Sequence, residues 1–290
     1  LTIPVIQAPM AGGVNTPALV SAVSDAGGLG SFGFAYSTPE KIDADLRATK
    51  ALIKKVTNTR INANFFVFKE PIMPAGQDQQ KALSDLKDVV DSLGVTVAIP
   101  KSPYIPNLQS MLEPIWVHQP EVLTFHFGLP PQQVIERAHS LGMTVGVTAT
   151  SLEEALMIQS AGVDFVVAQG IEAGGHRGIF DPHGVDQQLT IRDLVLELDK
   201  HLQIPIVAAG GLMDGRDVHG IIQAGASAAQ MGTAFLVTAE AGTSPAHRGF
   251  VLTKTELGTA FTRAFSGRPA QGIKNKYMSL MEGKTYLPFP

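Results

Sequence analysis

Residues 204–233, IPIVAAGGLMDGRDVHGIIQAGASAAQMGT, hold one complete repeat of the chain's pattern. An apolar run from Ile206 to Ala209 ends in Gly210-Gly211. Residues 214–224 then carry a helical pattern that stops at Ala224-Gly225-Ala226, where a glycine can take the left-handed turn that ends a helix. A second apolar run, Ala228 to Met231, ends in Gly232-Thr233. The order is strand, helix, strand. Neither run alternates with polar residues, which is how strands buried on both faces read. Two such strands joined through a helix lie parallel in one sheet.

The same unit recurs on either side. Moving toward the N-terminus, strands are predicted at Phe165–Ala168, Thr144–Val147, Val122–Phe125, Ile61–Phe65, Gly28–Ser31 and Val5–Ala8. Helices are predicted at Thr16–Ala26, Pro39–Lys55, 131–140, 151–161 and 191–200. Leu141-Gly142-Met143 and Ala161-Gly162-Val163 repeat the glycine stop before a strand. Residues 69–120 are less regular, with a helix near Gln79–Ser92, a strand-like Val95–Ile99 and a helix before Trp116. About eight strand–helix units fit a closed α/β (β/α)8 TIM barrel better than an open doubly wound sheet. We therefore expect one domain over 1–290, with 69–120 as an irregular insertion.

Composition narrows the partners. The 290 residues are 44% hydrophobic and 17% charged, with a net charge of −4 and scattered Lys and Arg. No basic stripe suggests nucleic acid or an anionic membrane surface, and no apolar run is long enough to span a bilayer. No charged-then-apolar leader opens the sequence, so a cytoplasmic setting is expected. There is no cysteine, which excludes disulfides, thiolate metal sites and cysteine nucleophiles.

In a barrel the chemistry lies just after the strands. Those positions hold Ala8-Pro9-Met10, Asn64, His126, the run Gln169 to Gly178, Gly210-Gly211 and Gln230-Met231-Gly232-Thr233. Glycines after the last two strands let backbone N–H groups approach a phosphate, the recurrent barrel phosphate site; alone, each is also a tight turn. Gly211 is expected to tolerate no side chain, because a Cβ would stand where a phosphate oxygen approaches. Gly28-Leu29-Gly30-Ser31-Phe32-Gly33 matches G-x-G-x-x-G, but a helix precedes it and no suitable acid follows, so no dinucleotide site is read there. His176, in a glycine-rich loop after a strand, reads as a catalytic base or as a loop residue; His126 reads as functional or as packed. Arg177 reads as an anion contact or a solvated charge. His176, Asp181 and His183 match no metal-ligand spacing, and no metal is expected.

At these residues the chain resembles the nitronate monooxygenases over nearly its whole length. Gln7-Ala8-Pro9-Met10-Ala11-Gly12 with Thr16-Pro17, Phe125-His126-Phe127-Gly128-Leu129-Pro130, and Gln169-Gly170 through Glu172-Ala173-Gly174-Gly175-His176-Arg177-Gly178 carry the likeness. Ala208-Ala209-Gly210-Gly211 through Asp214-Gly215, Gln230 to Thr233, and Ala264-Phe265-Ser266-Gly267-Arg268-Pro269-Ala270 complete it. The resemblance implies a noncovalent FMN touching Asn64, Gln169, Gly174, Gly211 and Gln230 to Thr233, with the backbone of Ala8, Pro9 and Met10 under the ring. Gly210 belongs to the same loop. It implies that His176 is the catalytic histidine, and that an alkyl nitronate and O2 react to give a carbonyl compound and nitrite. Tyr104 and His126 are candidate substrate contacts. The family usually continues past a segment like Leu287-Pro288-Phe289-Pro290, so further residues are expected to complete its pocket. Two rival readings stay open: a flavin-dependent NAD(P)H reductase on the same scaffold, and a flavin-free isomerase or lyase acting on a phosphate metabolite. The latter usually needs a lysine or carboxylate pair at strand ends, which is not found.

Overall fold

A computed structural model describes residues 1–54, 60–253 and 257–289. Its main sheet has eight parallel strands: β1 (Val5–Gln7), β2 (Gly30–Gly33), β3 (Ile61–Phe66), β4 (Val122–His126), β5 (Thr144–Ala149), β6 (Phe165–Gln169), β8 (Ile206–Ala209) and β9 (Ala228–Met231). Their order is β1-β9-β8-β6-β5-β4-β3-β2. The seam between the first and last strands is bridged at Ile6 and Leu29, with Gln7 N–H donating to Leu29 O at 2.9 Å and Leu29 N–H to Val5 O at 3.0 Å. The sheet therefore closes as a (β/α)8 barrel.

Around it run α1 (Pro17–Ala26), α2 (Pro39–Leu52), α5 (Leu108–His118), α6 (Gln132–Ser140), α7 (Leu152–Ser160), α8 (Ile191–Leu198), α9 (Gly215–Gln223), α10 (Thr233–Leu236) and α11 (Pro245–Thr253). Their starts follow local chemistry. Thr16, Thr38, Ser151, Thr190 and Asp214 each cap a helix by accepting a backbone N–H, and Pro17 and Pro39 follow two of those caps. Lys55, the predicted end of the second helix, lies outside the described residues.

The strands bury two faces, and this explains their apolar runs. Outward residues such as Phe32, Phe34, Phe65 and Phe125 join Ile42, Leu46, Leu112 and Ile115 in the core between sheet and helices. Phe32 and Phe34 stack at 4.8 Å between ring centroids. A second cluster, Ile6, Leu29, Val122, Phe165, Val167, Val207, Ala209 and Ala228, fills the barrel itself. Each Ile, Leu, Val or Phe side chain buried here contributes about 1.5–3 kcal/mol by leaving water.

Contacts divide the chain into two compact units. The barrel unit comprises Leu1–Val67, Asn107–Gly174 and Gly178–Thr253; the other comprises Phe68–Pro106, Gly175–Arg177 and Lys254–Pro290. The second unit holds α3 (Gly76–Asp85), α4 (Lys87–Leu93), α12 (Lys276–Leu280) and an antiparallel sheet of β10 (Thr259–Thr262), β11 (Ala270–Ile273) and β7 (Gly175–His176). The helix expected near Gln79–Ser92 is two helices that meet at Leu86. Val95–Ile99 forms no strand; Val95 and Val97 are exposed, and no strand among the described residues pairs with them. Its apolar alternation misled because β-propensity needs a neighbouring strand to act on.

Candidate functional site at the strand ends

The chain leaves β8 through Gly210 (φ +128°) and Gly211 (φ +66°), both in the region that glycine alone enters freely. A Cβ on Gly211 would stand 3.0 Å from Glu172 Cβ, and one on Gly210 would stand 3.0 Å from Ala173 N. The loop after β6 is thus pressed against the pair. The Gly211 Cβ direction points at Glu172, so its glycine serves the backbone path and this packing. That differs from the expected conflict with a phosphate oxygen. Gly232, after β9, has an ordinary φ of −104°. A Cβ there would lie 3.6 Å from Ala8 Cβ and 3.8 Å from Met10 Sδ. A Cβ on Gly174 would lie 4.0 Å from Thr233 Oγ1. The backbone N–H groups of Gly211, Gly232 and Thr233 meet no acceptor among the described residues. Donors from two neighbouring strand ends, with glycines keeping the approach clear, form a cradle that suits a phosphate.

The exit of β1 joins this cradle. Ala8 N–H donates to Met231 O at 2.9 Å. Asn15, buried and absent from the sequence expectations, clamps the segment. Its Oδ1 accepts from Met10 N at 2.5 Å and Gly33 N at 3.2 Å, and its Nδ2 donates to Ala8 O at 3.4 Å. Gly33 permits the approach, since a Cβ there would fall 2.6 Å from Ala11 N. A cavity of about 370 Å³ beside this clamp is lined by Met10, Asn15, Phe32, Phe34 and Tyr36 among others. None of Gly211, Gly232 and Thr233 lines it, so it is distinct from the cradle.

Above the apolar filling lies a polar layer. Ser31, Asn62, Asn64, Thr124, Thr148 and Gln169 are all buried. Asn64 Nδ2 donates to Thr124 Oγ1 at 3.0 Å, and Gln169 Oε1 accepts from Gly178 N at 2.7 Å. Gln230 pairs in register with Ile6 on one side and Ala209 on the other. His126, half-buried at the end of β4, lies 5.6 Å from Phe66 and 4.5 Å from Phe127 by ring centroids. A Cβ on Gly178 would fall 2.8 Å from His126 Cε1.

In the second unit, β7 pairs with β11, setting His176 opposite Ala270. His176 Nε2 and Ser266 Oγ lie 2.6 Å apart, and the ring sits 5.3 Å from Phe289. Burial, reinforced by the Arg268 guanidinium, pushes the His176 pKa down to about 4. The ring is therefore neutral near pH 7. Arg177 is only 2% exposed, which overturns the solvated-charge reading; its N–H donates to Pro269 O at 2.8 Å. Tyr104 is half-buried, and its backbone N–H donates to Glu70 Oε1 at 3.2 Å. Ser266 and Arg268 belong to one of the family-like motifs, but nothing in their spacing announces that they flank His176. Among the described residues no group of three or more His, Asp or Glu could hold a metal ion.

A closed (β/α)8 barrel whose loops after β8 and β9 gather glycines and backbone N–H donors at the strand ends defines the class: a (β/α)8-barrel protein with its candidate site at the C-terminal ends of its strands. Within that class the chain belongs to the nitronate monooxygenase family, whose model matches residues 1–290. It is 39% identical over 280 residues to a nitronate monooxygenase of Paraburkholderia phytofirmans, covering 96% of this chain and 75% of that one. It resembles the structure of a nitroalkane oxidase from Streptomyces ansochromogenes, with a TM-score of 0.89 and 32% identity over 99% of this chain and 82% of that one. It also resembles FabK from Thermotoga maritima, with a TM-score of 0.73 and 25% identity over 97% and 75% of the respective chains. The chain is an oxidoreductase by this membership. No helix among the described residues is long and apolar enough to cross a membrane.

Proposed function

We propose that this protein binds FMN without a covalent link and oxidises alkyl nitronates with O2, releasing a carbonyl compound and nitrite in the cytoplasm. The observation that carries the reading is the cradle of Gly211, Gly232 and Thr233 N–H groups beside Ala8 and Met10. Those N–H groups would take the phosphate. The backbone of Ala8, Pro9 and Met10, with Asn64, Gln169, Gly174, Gly210, Gln230 and Met231, would receive the rest of the cofactor. When bound, FMN supplies the redox chemistry that carries electrons from the nitronate to O2.

His176 has the proton role in this reading, and Tyr104 and His126 are substrate contacts. A ring with a pKa of about 4 is always neutral at working pH, so it can accept a proton, but only weakly. Neutral nitroalkanes are weaker acids than its conjugate acid, so their deprotonation runs uphill. A preformed nitronate avoids that step. The low pKa thus favours the nitronate as substrate, and it removes the cation that would otherwise hold the anion.

The pH dependence follows from the sign of the shift. A base must be unprotonated, and a lowered pKa keeps it so to lower pH. With a neutral nitroalkane, kcat/KM should stay level from pH 7 down through the ordinary histidine range near 6.5 and fall only toward about 4. A pH–rate profile breaking at 6.5 would contradict the buried, neutral histidine. The rival reading, a flavin-dependent NAD(P)H reductase on the same scaffold, is separated from this one by the addition of NADH.

A further inference from the structure

The polar layer inside the barrel is one continuous thread rather than a set of separate pairs. Asn64 Nδ2 donates to Thr124 Oγ1 at 3.0 Å, and the Thr124 hydroxyl donates to Asn62 Oδ1 at 3.0 Å. Asn62 Nδ2 donates to Ser31 Oγ at 3.1 Å. Ser31 N–H donates to Gln7 Oε1 at 2.9 Å, and Gln7 Nε2 donates to the Ala8 carbonyl. Asn64 is 5% exposed, and Gln7, Ser31, Asn62 and Thr124 are 4% or less. The thread begins at Asn64 and ends at Ala8, two positions that the FMN reading places against the cofactor.

From this we infer that Thr124 is a positioning residue for the cofactor site, acting through the Asn64 amide; the inference rests on the FMN reading above. A threonine hydroxyl has a single proton. Here it goes to Asn62 Oδ1, so Thr124 has only a lone pair to offer Asn64. Asn64 must then present an N–H to Thr124, which leaves Asn64 Oδ1 for a donor elsewhere. Asn64 Oδ1 accepts from no group among the described residues. Thr124 thereby decides which end of the Asn64 amide faces the site. Without it nothing in the thread distinguishes the two orientations of Asn64, and Asn62 loses the donor to its carbonyl in a buried layer where replacement by water is costly.

The test uses full-length apoprotein titrated with FMN, following quenching of flavin fluorescence, with the visible spectrum and midpoint potential of the bound flavin as second readouts. Thr124→Val keeps the shape of the side chain and removes its hydroxyl. It should weaken FMN binding by about tenfold and shift the bound flavin's spectrum and potential. Thr124→Ser keeps the hydroxyl and should restore all three. In an Asn64→Leu background, Thr124→Val should add less than about twofold, because the effect travels through Asn64. Wild-type affinity, spectrum and potential in Thr124→Val would overturn the inference. So would a loss of the same size with Asn64 already replaced, since the role would then be structural. If Thr124→Val does not fold, Thr124→Ala against Thr124→Ser gives the same comparison. A wild-type chain that binds no FMN would overturn the cofactor reading instead, so the two failures are distinguishable.

Discussion

Replacing His176 with asparagine should lower turnover of a neutral nitroalkane by on the order of 10²–10⁴-fold, while turnover of the matching preformed nitronate changes by less than about threefold. The asymmetry follows from the proton. The neutral substrate must lose its α-proton, and the nitronate has already lost it. Asparagine can keep a polar contact with Ser266 but cannot take up a proton at this pH. The alternative role, an imidazolium holding the anion, would make both substrates suffer, chiefly through KM. Burial and the nearby Arg268 charge oppose that cation, which is why we expect the split. Both substrates must be assayed on one flavin-replete preparation. Equal losses on both would assign His176 to anion binding, and unchanged kinetics on both would remove it from the mechanism.

The second large effect concerns the cradle. Gly232→Val should cost on the order of 10–100-fold in FMN affinity, the amount expected when charge-assisted backbone hydrogen bonds to a phosphate are displaced. This position isolates ligand binding from folding. Its φ of −104° suits any residue, and a Cβ would make ordinary contacts with Ala8 and Met10. The variant should therefore keep its circular dichroism and its apoprotein melting temperature. Gly211→Val is the informative contrast. A φ of +66° and the 3.0 Å approach of Glu172 make any side chain there strain the backbone, so it should lose stability as well as FMN. Full FMN retention in Gly232→Val with an unchanged fold would mean that this glycine is only a turn.

Much of this is legible in the amino-acid sequence, for identifiable reasons. The eight strands announce themselves because both of their faces are buried, leaving short apolar runs such as Phe165–Ala168 and Ile206–Ala209. The inner polar layer is partly legible too. Asn62 and Asn64 are two apart, as are Thr124 and His126, and a strand turns every second residue to one side. What that period leaves open is the register between the two strands, and it is this register that sets Asn64 opposite Thr124. Asn15 gives no signal, because its role depends on β1 and β2 leaving the barrel side by side. Val95–Ile99 reads as a strand for the converse reason: the local pattern fits, but no strand among the described residues meets it. The surroundings of His176 are illegible because Ser266 and Arg268 reach it across about 90 residues of sequence, through the pairing of β7 with β11.

The FMN-loaded protein is to be mixed with propionate 3-nitronate in air, and separately with NADH without oxygen. We predict O2 consumption with nitrite release in the first mixture, and no loss of the oxidised flavin absorbance in the second. Rapid bleaching by NADH, with no nitrite from the nitronate, would contradict the account and assign the scaffold to a reductase.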